Sequence, residues 1–407
     1  MGEFAIERLL TSRWTLLTII FFARTGVGFQ FIAVAALMNP LRQDLQLGYG
    51  EVGFLLGAFM ITAIILSIPN SIISTFLGDR VTLFIGLGAL VFGGLIFAES
   101  SDYFAALSGR LIGGIGAVFI TVTGAKVLTD RFAGREIATA MSFLGVAWPV
   151  GIALGLSLLP LFSEWLNWRG AVYLTIILPA LSAVTFFIIP LGRSKAPISE
   201  GEPEAGQNRI RARLWTISRP EFWLIILGGL AWPLMSSGGY VVFSSFAPTY
   251  LIERGMSQAE AGLLASILSW LIIVTIPLGG ILVDRTGQGD KAVWTGCLIA
   301  AAAIAMIPVG GPVAVWIVLS ASLGITVGAV MAVPSEILSA KSRATGMGLF
   351  YTIYYCGTSG LPALAGWLHE VSGNVETVIW FSAFCLVLSP VTLFAFRKYQ
   401  QALAPGT

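Results

Sequence analysis

Long apolar runs of roughly twenty residues alternate with short polar breaks along almost the whole chain. Twelve such runs are countable: 14–39, 50–72, 83–99, 103–127, 137–162, 170–191, 222–250, 259–282, 293–309, 312–333, 345–368 and 376–396. A membrane-spanning helix needs about 20 mostly apolar residues, so each run is long enough to cross a bilayer. None alternates with period two, and hydrocarbon admits only helices or closed barrels. The pattern therefore predicts twelve transmembrane helices. The longest polar stretch, 192–221, is rich in Pro, Gly, Glu and Arg and separates six runs from six. It reads as a linker. The predicted organisation is an N-terminal six-helix half (1–191), a cytoplasmic linker (192–221) and a C-terminal six-helix half (222–407).

A polar signature recurs in both halves. TFLGDRVT begins at Thr75 and GILVDRTG at Gly280, 205 residues on. Each places an Asp-Arg pair, Asp79-Arg80 and Asp284-Arg285, where an apolar run ends. Trp14 and Trp223 open the first and seventh runs. Arg135, Ala138 and Ala140 are echoed by Arg343, Gly346 and Gly348. Matches at nearly one offset mark an internal duplication.

Composition agrees. The chain is 56% hydrophobic and only 11% charged, against about 25% charged in soluble domains. A net charge of +2 gives no footprint for nucleic acid. The three cysteines, Cys297, Cys356 and Cys385, all fall in apolar runs and read as small membrane-core residues. His369 is the only histidine, so a multi-histidine metal site is excluded. With no acid, histidine or metal cluster at depth, neither an enzyme nor a cofactor is expected. Lys and Arg orient the spans: with the N-terminus inside, eighteen fall on inner segments and three, Arg42, Arg169 and Arg254, outside. Both termini are then cytoplasmic, in a multi-pass protein of a bacterial inner membrane.

Two arginines fall within spans, Arg24 and Arg110. Arg24 is about ten residues into the first run, ~15 Å deep at 1.5 Å per residue. A mid-depth arginine costs ~2.5–3.5 kcal/mol on insertion scales and should face a wet cavity or a partner. All 21 Asp and Glu residues fall in loops or at span ends. Two cations around one cavity would repel unless an anion bridged them, and a guanidinium grips carboxylate or phosphate through two parallel bonds. The expected cargo is a small anion, held by Arg24 as main clamp and Arg110 as helper. Gln30, Trp148, Ser236, Tyr240, Tyr351 and Tyr354 are further candidate wall residues. Tyr351, Tyr354 and Tyr355 share one helix face. The Gly238-Gly239 pair is expected to let the seventh span bend.

GILVDRTG resembles the G-x-L-x-D-R-x-G signature of the major facilitator superfamily, through Gly280, Leu282, Asp284, Arg285 and Gly287. The first copy keeps Leu77, Asp79 and Arg80 but has Thr75 and Thr82 in place of the glycines. GRLIGGIGA resembles the fourth-helix R-x-x-x-G-x-G pattern through Arg110, Gly114 and Gly116. GVAWPVGIALG is similar to an exporter signature, with Trp148 where a glycine precedes Pro149. The resemblance implies an all-α membrane protein of two pseudo-symmetric six-helix bundles, working as a monomer by alternating access around a midplane site. It implies a gating role for Asp79, Arg80, Asp284 and Arg285, the acids latching to loop arginines such as Arg131, Arg135 or Arg343. An arginine in the first and fourth spans also resembles the organic-anion symporters of that superfamily, although Ala23 stands where they commonly carry an acid. A looser likeness is to cyanate-permease-type members. The leading expectation is a transporter of a small organic anion. The alternatives are a drug or metabolite exporter and a transporter-like sensor.

Overall fold

The computed structural model describes residues 12–132, 137–188, 218–310, 314–337 and 343–403, and every regular element among them is helical. Helix α1 (Arg13–Ala36) leads through a short α2 (Met38–Leu45) into α3 (Tyr49–Leu77), α4 (Asp79–Ala98) and α5 (Tyr103–Phe132). The stretch Ile137–Ile188 is broken at Asn167, where φ is 56° and ψ is 177°. Asparagine is among the few residues that tolerate positive φ. The break divides α6 (137–166) from α7 (168–188). Helix α8 (Arg219–Pro233), a π-helical segment (Leu234–Val242) and α9 (Phe243–Glu253) form one continuous rod. Then come α10 (Gln258–Thr286), α11 (Gly289–Met306), α12 (Ala314–Ile337), α13 (Arg343–Ser372) and α14 (Glu376–Leu403). Leaving α2 aside, these are twelve long helices, as the hydrophobic pattern predicts. The linker before Ser218 lies outside the described residues.

Local sequence sets the helix ends. Ser12 accepts a bond from the Trp14 amide, and Ser218 with Glu221 forms a reciprocal capping box at α8. The rods are apolar all round, and large side chains such as Phe76, Phe104 and Phe187 stay exposed, as lipid-facing surfaces require. Packing between rods relies on small residues. A Cβ on Gly28 would strike the Trp148 carbonyl, and one on Gly151 the Thr25 carbonyl, which joins α1 to α6. Gly93 faces Gly109 and Gly113 across α4 and α5, and Gly296 faces Ser322 and Thr326 across α11 and α12.

The chain gathers into two compact units. One comprises Met1–Gly192, Val242–Ile273 and Ser359–Ile379; the other comprises Arg193–Val241, Val274–Thr358 and Trp380–Thr407. The first unit thus takes α9, the start of α10 and the end of α13 together with α1–α7. The seventh rod departs from the expected simple bend. Directly after Pro233 its backbone shifts to π register for nine residues, Gly238 and Gly239 included. Such distortions often mark functional positions. Of the cysteines, Cys297 and Cys385 are buried, but Cys356 is exposed on α13.

Candidate functional site

Arg24 sits midway along α1, half-buried, with Ala23 and Thr25 buried on either side. Arg110 is different. Three of its five N–H groups go to main-chain oxygens: Nε donates to Leu55 O (3.1 Å), Nη1 to Gln30 O (2.7 Å) and Nη2 to Phe31 O (2.9 Å). The Phe59 ring lies 4.3 Å beneath it. Arg110 is 2% exposed and ties α5 to α1 and α3. The glycines beside it explain how this is built. A Cβ on Gly114 would collide with Phe59 O and the Thr62 hydroxyl. Without side chains there, α3 approaches closely enough to offer its carbonyl.

Gln30 is likewise a packing residue, donating through Nε2 to Leu90 O (2.9 Å) on α4. With Arg110, Thr175, Phe59 and Phe97 it lines a cavity of about 10 Å³. That is room for a single water, not for an organic anion. Trp148 is half-buried and packs on Phe31, ring centres 5.0 Å apart.

In the second unit the aromatic candidates form a tight cluster. Trp232 stacks on Tyr354 (4.0 Å, 19°) and on Phe350 (5.2 Å, 25°), and meets Tyr351 edge-on. Ser237 shares a 2.7 Å hydrogen bond with Thr358. Ser236 spends its hydroxyl on the Trp232 carbonyl one turn back. Tyr240 is buried within the π-helical segment.

The repeated signature also finds unexpected partners. Among the described contacts Asp79 pairs with Lys126 at 2.7 Å, a lysine in place of the arginines the sequence nominated. Arg80 donates to the carbonyls of Phe186 and Phe187 at the end of α7, satisfying terminal acceptors a helix leaves open. Arg131 is half-buried and Arg285 exposed. Arg135 and the side chains of Asp284 and Arg343 lie outside the described residues. Lys126 escaped the sequence reading because arginines crowd the same region, although it lies within two turns of the inner end of α5.

The opposite end of the first unit holds a dense closure that sequence reasoning missed. The start of α3 packs against the end of α13: a Cβ on Gly53 would strike Pro362 O, one on Gly57 the Ser359 carbonyl, and one on Gly366 the Tyr49 carbonyl. Gly50 N donates to the Glu370 carboxylate (2.9 Å). His369 stacks on Tyr49, ring centres 3.7 Å apart, and Arg42 lies 4.2 Å over Tyr49. Arg254 pairs with Glu376 at 2.9 Å. Between α10 and α6, Trp270 donates to Ser157 and Gln258 to Ser163. Nearby, Arg169 and Trp168 both donate to Asp44; the Arg169 bond above all holds that carboxyl below the usual range.

Comparison with known proteins places this geometry. Residues 16–359 match the family model described as Major Facilitator Superfamily. A protein of Agrobacterium vitis named "Putative tartrate transporter" is 24% identical, the match covering 96% of this chain and 90% of that one. "Probable nitrate transporter NarT" of Staphylococcus epidermidis is 20% identical, covering 91% and 93%. Among solved structures, the inward-open conformation of the xylose transporter XylE from E. coli superposes with a TM-score of 0.76 at 16% identity, covering 97% of each chain. At that identity the likeness carries the fold.

Proposed function

The chain belongs to the Major Facilitator Superfamily, and from that premise we propose that it carries a small anion across the membrane by alternating access, with Arg24 as the cargo's charge partner. The observation behind the cargo class is the position of Arg24, eleven residues into the 24-residue α1, or ~17 Å along its axis. The relatives named for tartrate and nitrate transport support the same class, an organic or inorganic anion. Tyr240, Tyr351 and Tyr354 are proposed as cargo hydroxyls on their sequence pattern. Arg110 is withdrawn from that role and assigned to holding the helices.

The Lys and Arg distribution supports both termini lying in the cytoplasm of a bacterial plasma membrane. On that orientation the Asp79–Lys126 pair lies at the inner end, and the packed contacts around Tyr49, Glu370 and Arg254 are proposed as the closed outer gate. The gate opens when the ends of α9 and α13 part from α2 and α3. The duplicated Asp-Arg signature is proposed to time the corresponding change at the inner face. A monomer suffices for this cycle.

Uptake of isotope-labelled anions into proteoliposomes tests the reading. Saturable accumulation of nitrate or a hydroxy-dicarboxylate, competed by other anions, is the expected result. Transport of a cationic dye with no anion flux would replace it with the exporter reading.

A gate closed through glycines should be sensitive to one methyl group. Gly57→Ala is expected to disfavour the outer-closed state by about 1–3 kcal/mol, the usual cost of overpacking. A thiol introduced by Ser359→Cys, with Cys356 replaced, should then react roughly tenfold or more faster with a membrane-impermeant reagent. Unchanged reactivity would show that this contact does not hold the gate.

A further inference from the structure

The single histidine of the chain occupies the middle of the outer closure. His369 is 3% exposed. Its ring is covered by Tyr49 at 3.7 Å and meets the Phe246 edge at 6.2 Å. Nδ1 is buried with no hydrogen-bond partner. Nε2 lies 3.8 Å from Glu253 Oε1, beyond hydrogen-bond reach. Neutral imidazole carries one N–H, whereas imidazolium carries two. Among the described residues no acceptor lies within hydrogen-bond reach of either nitrogen, Glu253 Oε1 stopping at 3.8 Å, so a second N–H, on Nδ1 above all, would be a buried donor without an acceptor.

We propose that His369 is a proton-binding site that unlocks the outer gate. As a neutral ring it packs α13 against α3 and α9; protonated, it is stable only when wetted, so proton uptake favours separation of these helices. The inference rests on the transporter reading for the assignment of sides and for what the gate admits.

The surrounding charges decide the sign. Arg42, from α2, lies over the same Tyr49 ring that covers His369. Glu253 approaches from α9 and would favour a cation. Glu370, next along α13, is engaged by the Gly50 amide, and Arg254 and Glu376 neutralise each other. Burial, aided by Arg42, outweighs Glu253 and pushes the imidazole down to about 4. A histidine released into water returns to about 6.5. The closed gate therefore binds fewer protons than the open one. Its stability is full above about pH 6.5 and falls as pH drops toward 4, by about tenfold in the closed-to-open ratio per pH unit.

One chain with one histidine makes a direct test available. The full-length, untagged protein, labelled selectively at histidine and held in lipid nanodiscs, should give one imidazole resonance that titrates well below the ordinary range. In parallel, spin labels at Gln43→Cys and Asn374→Cys, both exposed positions, in a background lacking the three native cysteines, report the gate distance. Between pH 7.5 and 4.5 a longer-distance population should grow about tenfold per unit below 6.5. His369→Gln and His369→Phe should remove that dependence. A native imidazole titrating near 6.5, or a pH response that survives both substitutions, would overturn the proposal. Anion flux is measured on the same preparations. A histidine-dependent gate response without anion flux would sink the cargo assignment alone; flux with no histidine-dependent response would sink the latch alone.

Discussion

Arg24→Ala is expected to abolish anion uptake, by about 100-fold or more, in protein that still inserts and folds. A guanidinium holding a carboxylate or nitrate makes two charge-assisted bonds, each worth about 1.5–3 kcal/mol. Losing them removes some two to four powers of ten in binding. Insertion should not suffer, because a charge at mid-depth itself costs ~2.5–3.5 kcal/mol. Arg24→Lys keeps the charge but not the planar fork. It should transport at an intermediate rate, with the larger defect for planar anions that need two parallel bonds. Initial rates in proteoliposomes, normalised to the amount of protein that survives size-exclusion chromatography, measure both effects. Undiminished uptake by Arg24→Ala would end the assignment of this residue to cargo.

What the sequence made legible, and what it did not, follows from the range of the interactions involved. Span positions are local: twenty apolar residues are twenty apolar residues whatever they pack against, so the twelve rods were readable. The duplication was readable because the Asp-Arg signature recurs almost intact. The Lys126 partner of Asp79 was not, because Arg131 and Arg135 follow Lys126 within nine residues and only helix rotation selects among them. His369 was visible as a lone histidine, but Tyr49, its stacking partner, lies 320 residues earlier, and no periodicity links them. The glycines at 50, 53 and 57, spaced to line one face of α3, were the available signal for a close approach. The π register after Pro233 was also out of reach: the paired glycines announce a weak place in the helix, not the form of its distortion.

Arg110 shows that charge at depth, which in sequence reads as a demand for an anion, also finds main-chain oxygen. Helix carbonyls have a second lone pair, and three of them converge where Gly113 and Gly114 let the helices close up. Both arginines look alike in a hydropathy plot. They differ in what approaches them, which is a tertiary property.

Arg110→Ala should therefore fail by unfolding, the reverse of the Arg24 phenotype. It deletes three bonds joining α5 to α1 and α3 and leaves a void over the Phe59 ring. The lost bonds are worth ~1.5–3 kcal/mol each, but the several kcal/mol spent burying the charge are recovered. The net loss is then set largely by the void, about 2–5 kcal/mol for a large-to-small change in a packed site. Arg110→Met fills most of the same volume without the charge, and replacing a buried ion by an apolar group of similar size is often tolerated. Met should be the milder substitution, although the carbonyls lose the same donors in both. Lys should rescue poorly, since a single ammonium cannot reach three oxygens held in the plane of a guanidinium. Thermal unfolding in detergent, followed on the Ala, Met and Lys variants, ranks them. Whatever folded protein remains should bind anion with a native KM, since Arg110 touches no cargo in this reading. A stable Arg110→Ala with KM raised by a hundredfold would return this arginine to the transport site and leave the three carbonyl bonds as a resting-state arrangement that the cargo displaces.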